Sequence, residues 1–93
     1  MEVKFISVEL WNYYTGNYSG KQKFQEDIIE RFKDKIDFII AAGSINELSK
    51  MKSLNIEKIA DHWSARINKK YRIEFDFEKP NTIIVFKISN HYE

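Results

Sequence analysis

The spacing of apolar and polar positions changes period once along the chain. From Lys21 to Ala42 the apolar residues Phe24, Ile28, Phe32, Ile36, Ile39 and Ile40 recur at helical spacing with Glu, Asp and Lys between them. That pattern predicts one long amphipathic helix. Gly43 can end it, and Ser44-Ile45-Asn46-Glu47 has the form of a capping box, so a short second helix is predicted through about Lys50. Ahead of these, residues 3–8 read as a short strand, and the segment through Tyr13, Tyr14, Gly16 and Gly20 as an aromatic-rich turn. A loop carrying Leu54, Ile56 and Ile59 follows the helices. Beyond it the period becomes two, which implies strands over 63–67, 71–77 and 82–90.

The alternation itself fixes a register for the hairpin. Trp63, Ala65 and Ile67 share one face of its first strand, and Tyr71, Ile73, Phe75 and Phe77 one face of its second. For the two sets to meet on one side the loop must hold an odd number of residues, and Asn68-Lys69-Lys70 supplies three. Ile67 then pairs with Tyr71, Ala65 with Ile73 and Trp63 with Phe75, and Arg66 stands opposite Arg72 on the other face. Two permanently charged guanidinium groups repel at such a position, so an anion between them is the expected compensation.

Lys79-Pro80-Asn81 makes the next turn, and Ile83-Ile84-Val85-Phe86 is the continuous apolar run of a strand covered on both faces, which places the last strand centrally. Counting on by twos, Lys87, Ser89 and His91 share one face, and Phe86, Ile88, Asn90 and Tyr92 the other. The chain reads as a single α+β domain: an antiparallel sheet of about four strands, with two helices from its N-terminal half packed on one face.

Composition narrows the function classes. A chain of 93 residues suits one small domain with a modest core, and 43% hydrophobic against 31% charged residues is the balance of a globular protein rather than a disordered one. With no cysteine, disulfides, thiolate metal sites and a cysteine nucleophile are all excluded. No apolar run approaches the roughly 20 residues of a membrane span, and the N-terminus lacks the pattern of a signal peptide, so no membrane association and a cytoplasmic location are expected. The net charge of +1 hides an asymmetry, because Lys50 to Arg72 holds seven Lys/Arg against Glu57 and Asp61, a local +5 that leaves −4 elsewhere. Such a segment attracts phosphate backbones or serves as a solvated face.

Candidate chemistry gathers on the strands. His91 near the end of the last strand can move protons near neutral pH or stand as a solvated end residue, and its company is Arg66, Arg72, Lys87 and Tyr92. That set meets the needs of RNA cleavage by the 2′-hydroxyl: a base for its proton, an acid for the departing 5′-oxygen and cations for the phosphorus oxygens. The substrate supplies the nucleophile, so this chemistry needs no metal or other cofactor. His62 can reach toward a ligand or simply occupy the surface at a strand start. Asp61, His62, His91 and Glu93 are too few and scattered for a metal site. Trp11, Tyr13, Tyr14 and Tyr18 can stack on bases, pack the core or form a partner surface.

Leu54-Asn55-Ile56-Glu57-Lys58-Ile59 followed by His62-Trp63-Ser64-Ala65-Arg66-Ile67-Asn68-Lys69-Lys70-Tyr71-Arg72-Ile73-Glu74-Phe75 resembles the central segment of RelE/ParE-superfamily toxins. Ala41 to Leu48 is similar to the second-helix segment of the HigB-type killer proteins, and Ile88-Ser89-Asn90-His91-Tyr92 resembles the terminal strand, closing on the His-Tyr pair of the YoeB branch. The resemblance implies a RelE-like fold and a ribosome-dependent mRNA endoribonuclease, held inactive by a cognate antitoxin of helix-turn-helix type. It implies that Arg66 and Arg72 bind the substrate phosphate and stabilise the transition state, with His91 and Tyr92 as the closing pair. Lys52, Lys58, Lys69, Lys70 and Lys87 are the accompanying substrate-binding cations.

Two departures stand out. HigB members commonly close with Tyr-His, which leaves open whether His91 or Tyr92 is the acid. The YoeB branch carries a catalytic glutamate before the hairpin, where counting back from Trp63 reaches Lys52 or Ser53, so the base is open too; Lys52 or Lys58 would need a lowered pKa. A gyrase-directed ParE-like toxin and a non-catalytic RNA-binding domain are the competing functions.

Overall fold

The computed structural model describes residues 1–90. Its main helix, α2 (Glu26–Ala41), exists because Ile28, Ile29, Phe32, Ile36 and Ile39 form one buried stripe, with Glu26 and Asp27 in the first turn where they suit the helix dipole. It begins later than the periodicity predicts. Phe24 leaves the helical path and packs edge-on against Tyr13 and Tyr71, at centroid distances of 6.1 and 5.6 Å. The short helix α3 (Ile45–Ser49) starts as predicted: the Ser44 hydroxyl accepts from the Glu47 amide at 3.1 Å, while the Glu47 carboxylate accepts from the amide of Gly43 at 2.9 Å.

The N-terminal region departs further from expectation. Strand β1 is only Glu2–Phe5, and the segment read as an aromatic turn is a third helix, α1 (Val8–Thr15). Ser7 caps it by accepting from the Leu10 amide, and Gly16 ends it in the left-handed region at φ 76°. Only Leu10 and Tyr13 of its eight residues are buried, too few for a periodic signal.

The sheet has five strands in the order β1-β5-β4-β3-β2, the others being β2 (Glu57–Ile59), β3 (His62–Arg66), β4 (Tyr71–Glu78) and β5 (Thr82–Asn90). It is mixed rather than wholly antiparallel, since β1 runs parallel to β5, with Val3 beside Ile83 and Phe5 beside Val85. The N-terminal ammonium donates to the carbonyls of Ile40 and Ala42 at 2.7 and 2.8 Å, tying β1 to the end of α2. The additional strand, β2, is a three-residue edge paired with β3.

The hairpin register is the predicted one: Trp63 pairs with Phe75, Ala65 with Ile73 and Arg66 with Arg72. Asn68 closes the loop by accepting from the amides of Lys70 and Tyr71, both at 2.8 Å. β5 lies inside the sheet, as its apolar content implies, but it is not covered on both faces. Ile83 and Val85 are buried under the helices, whereas Ile84 and Phe86 are half-buried on the uncovered side. A bulge also resets its alternation. Glu74 pairs with Lys87 and Phe75 with Val85, so Phe86 is an extra residue, and Ile88 returns to the core.

Phe32, Ile36 and Ile39 of α2 meet Leu48, Leu54, Ala65, Ile73, Phe75, Ile83 and Val85 in one core, all fully buried. Among the described residues no helix is long and apolar enough to cross a membrane. With the helices gathered on one face, the polar positions of β2 to β5 are left on the other, where they line a cleft.

Candidate functional site

Strand pairing assembles this face in rows. Glu57, Ser64, Glu74 and Lys87 lie side by side across four strands, and Arg66, Arg72 and Ser89 form the row beside them. Between them is a shallow cleft of about 270 Å³ lined by Ile59, His62, Ser64, Arg72, Glu74, Lys87, Ser89 and Asn90.

Arg72 is 7% exposed, and its Nη2 lies 3.4 Å from Glu57 Oε1. A guanidinium is always charged, so burying it requires a counter-charge. The anion that the arginine pair called for is thus present in the chain itself: Glu57 stands beside Arg72, while Arg66 stays exposed at the end of β3.

His62 is the other charged centre. Its Nε2 is 2.7 Å from Glu74 Oε1 and its Nδ1 is 3.1 Å from Asp61 Oδ1, while the ring meets Phe86 edge-on at 5.3 Å. The hydrogen bond to Asp61 raises the imidazole pKa above its ordinary value; burial opposes this, and Glu74 adds to the rise. Burial pushes the Glu74 carboxyl upward, but hydrogen bonds from Ser89 and His62 together with the Lys87 charge outweigh it and hold Glu74 below the usual range. Asp61 is held low chiefly by its hydrogen bond with His62. The Ser64 hydroxyl is buried and makes no hydrogen bond among the described residues.

The predicted site residues are only partly gathered. Arg72 and Lys87 line the cleft, and Arg66 is across from Arg72. Lys58 pairs with Trp63 on the opposite face, its amine 5.4 Å from the indole centroid, so it does not approach Arg72 as a base. Lys69 and Lys70 are exposed at the hairpin tip and Lys52 in the turn after α3. His91 and Tyr92 lie outside the described residues. Of the N-terminal aromatics, Tyr13 is buried and Tyr14 donates to Asp37 at 2.6 Å, both serving structure rather than the cleft.

Glu57, Ser64 and Glu74 were not singled out from sequence. For Ser64 and Glu74 the signal was available, since the alternation that faces Arg66 with Arg72 puts their i−2 and i+2 neighbours on the same side. Glu57 gave none beyond being the lone acid between Glu47 and Asp61.

No family model matches this chain, and no curated protein matches it in sequence. Solved structures match it in fold. A chain of the YoeB-YefM complex from Staphylococcus aureus is similar with a TM-score of 0.61 and 18% identity, covering 99% of this chain and 98% of that one. The YoeB/ParE toxin from Agrobacterium tumefaciens gives a TM-score of 0.54 at 17% identity, covering 99% of this chain and 100% of its own. Spanning both partners end to end, these likenesses establish that the chain has the RelE/YoeB-like toxin fold.

Proposed function

We propose that this chain is the toxin of a type II toxin-antitoxin pair and acts as an endoribonuclease on mRNA held by the ribosome. The observation that carries the reading is Arg72, buried at a polar cleft with Glu57 at its side and Arg66 across the strand. The likeness in fold to YoeB toxins supports it, as does the resemblance of the hairpin to the central segment of RelE/ParE-superfamily toxins.

In this reading Arg72 and Arg66 hold the scissile phosphate and stabilise charge on its oxygens. The 2′-oxygen attacks phosphorus and a bond forms between them; the bond to the 5′-oxygen breaks, and its electron pair leaves with that oxygen. The products are a 2′,3′-cyclic phosphate and a 5′-hydroxyl, whose proton comes, by resemblance, from His91 or Tyr92. The Glu57 carboxylate, beside Arg72 and half exposed, takes the 2′-hydroxyl proton. By resemblance, His91 and Tyr92 complete the site, following Asn90, which lines the cleft. Lys87 adds charge at the cleft, and Lys52, Lys69 and Lys70 meet more distant phosphates. The antitoxin is of helix-turn-helix type, and the complex with YefM named for the Staphylococcus aureus structure supports a cognate partner.

Arg72→Ala should abolish growth arrest and slow mRNA cleavage in a translating extract about 10²–10³-fold. Full toxicity in that variant overturns the site. The YoeB/ParE name of the second similar structure favours one alternative, a gyrase-directed toxin. Intact mRNA with DNA damage in expressing cells is the outcome that selects it.

A further inference from the structure

We propose, resting on the ribonuclease reading just given, that Glu57 keeps the place of the scissile phosphate in the free protein, and that Ser64 becomes a ligand of that phosphate when Glu57 gives way. Substrate binding at Arg72 is then an exchange of one anion for another.

The contact to be exchanged is loose. Glu57 Oε1 lies 3.4 Å from Arg72 Nη2, against about 2.8 Å for a well-formed bond between guanidinium and carboxylate. The Glu57 side chain is 48% exposed and that of Arg72 only 9%, so the guanidinium is the fixed partner and the carboxylate the movable one. A phosphate and a carboxylate side by side on one guanidinium repel, and the phosphate therefore needs Glu57 displaced. Ser64 favours the exchange. It is the cross-strand neighbour of Glu57, it lines the cleft, and its hydroxyl is fully buried without a hydrogen bond among the described residues. A buried hydroxyl left in that state is rare, and an oxygen of the incoming phosphate satisfies it.

The backbone that carries Glu57 is built to yield. β2 has three residues, all exposed, and as the edge of the sheet it is paired on one side alone. It is bracketed by two residues in the left-handed region, Asn55 at φ 43° and Ala60 at φ 51°, a conformation that asparagine tolerates and alanine adopts only under strain. Just outside this stretch the chain is fixed: Leu54 is fully buried and its carbonyl accepts from the Arg66 amide at 2.6 Å, while His62 is held by Glu74. Residues 55–61 can thus shift without disturbing the core. Within them the Asn55 amide donates to Glu57 Oε1 at 3.2 Å and holds the carboxylate at Arg72. Once displaced, Glu57 remains at the rim of the phosphate's place, where the 2′-hydroxyl arrives.

The test is titration of the whole chain with inorganic phosphate, followed through the guanidinium nitrogen resonances of Arg72. Glu57→Gln should bind phosphate about tenfold more tightly than wild type, because the competing charge is gone. Ser64→Ala should melt at or above the wild-type temperature yet bind phosphate about tenfold more weakly. In a translating extract Glu57→Gln should cut mRNA more slowly although it binds phosphate more tightly, and these opposite signs separate its two roles.

Equal phosphate affinity in wild type and Glu57→Gln overturns the exchange, and wild-type affinity in Ser64→Ala overturns the assignment of that ligand. If Glu57→Gln fails to fold, Asn55→Gly decides: glycine accepts the backbone conformation, the hold on Glu57 is lost, and an affinity no higher than wild type counts against us. Wild-type protein that cleaves no mRNA defeats the ribonuclease reading and the assignment to a scissile phosphate together. Active wild type with unchanged phosphate affinity in the variants defeats this proposal alone.

Discussion

The His62-Glu74 contact couples protonation to stability in a direction that can be worked out. His62 is raised, so its contribution is complete below the ordinary imidazole value of about 6.5 and is lost as pH rises through the folded value. Glu74 is lowered, so its contribution is present above about 4.5 and is lost as pH falls through its folded value. The stabilisation from the ion pair is therefore complete between about pH 4.5 and 6.5 and declines outside that window as each group titrates in the folded protein. Glu74→Gln should be less stable than wild type by about 1 kcal/mol in that window, and the gap should narrow toward pH 9. Denaturant unfolding at pH 5.5 and 9 checks this; a gap that widens with pH contradicts it. At this scale the sequence announced the arginines and not their partners. Arg66 and Arg72 follow from alternation along two readable strands, whereas Glu57 reaches Arg72 from a three-residue edge that has no period to read, and His62 contacts Glu74 diagonally rather than at its own cross-strand position.

Among the elements, the hairpin was the most legible because two independent constraints agree: the apolar alternation of both strands and the odd loop between them. Asn68 shows how local that agreement is, since one side-chain oxygen takes the amides of Lys70 and Tyr71. Asn68→Ala should destabilise the protein by about 1–2 kcal/mol, and Asn68→Asp by much less, because an aspartate keeps the acceptor. Chemical denaturation of the three proteins measures both, and a neutral Asn68→Ala would show that the turn closes without the side chain. Other elements were hidden for stated reasons. The eight residues of α1 turn only Leu10 and Tyr13 inward, which is indistinguishable from an aromatic loop, and the four residues of β1 carry no information on strand direction. Phe24 fits the helical period of α2 yet sits outside it, because edge-on contacts with Tyr13 and Tyr71 hold it elsewhere.

For the molecule as a whole, the decisive asymmetry is that every helix lies on one side of the sheet. A single core then carries most of the stability, with Phe32 at 0% exposure near its centre. Phe32→Ala should cost about 3–5 kcal/mol, a large share of what a domain of this size has, and calorimetry should show a fall in Tm of well over 10 °C. The α+β class and the one-sided packing could be read from the switch of period near the middle of the chain. The mixed sheet could not, because the parallel pairing of β1 with β5 joins the two ends of the described chain and leaves no local mark. The bulge in β5 has a consequence for chain length. Because Val85 and Lys87 already oppose neighbouring residues of β4, removing Phe86 would give an ordinary strand in which every other side chain keeps its face. A relative one residue shorter at this point would present the same interior and the same cleft, lacking only the ring that rests against His62. Length differences at position 86 are thus tolerable to the fold and selective for the surroundings of one histidine.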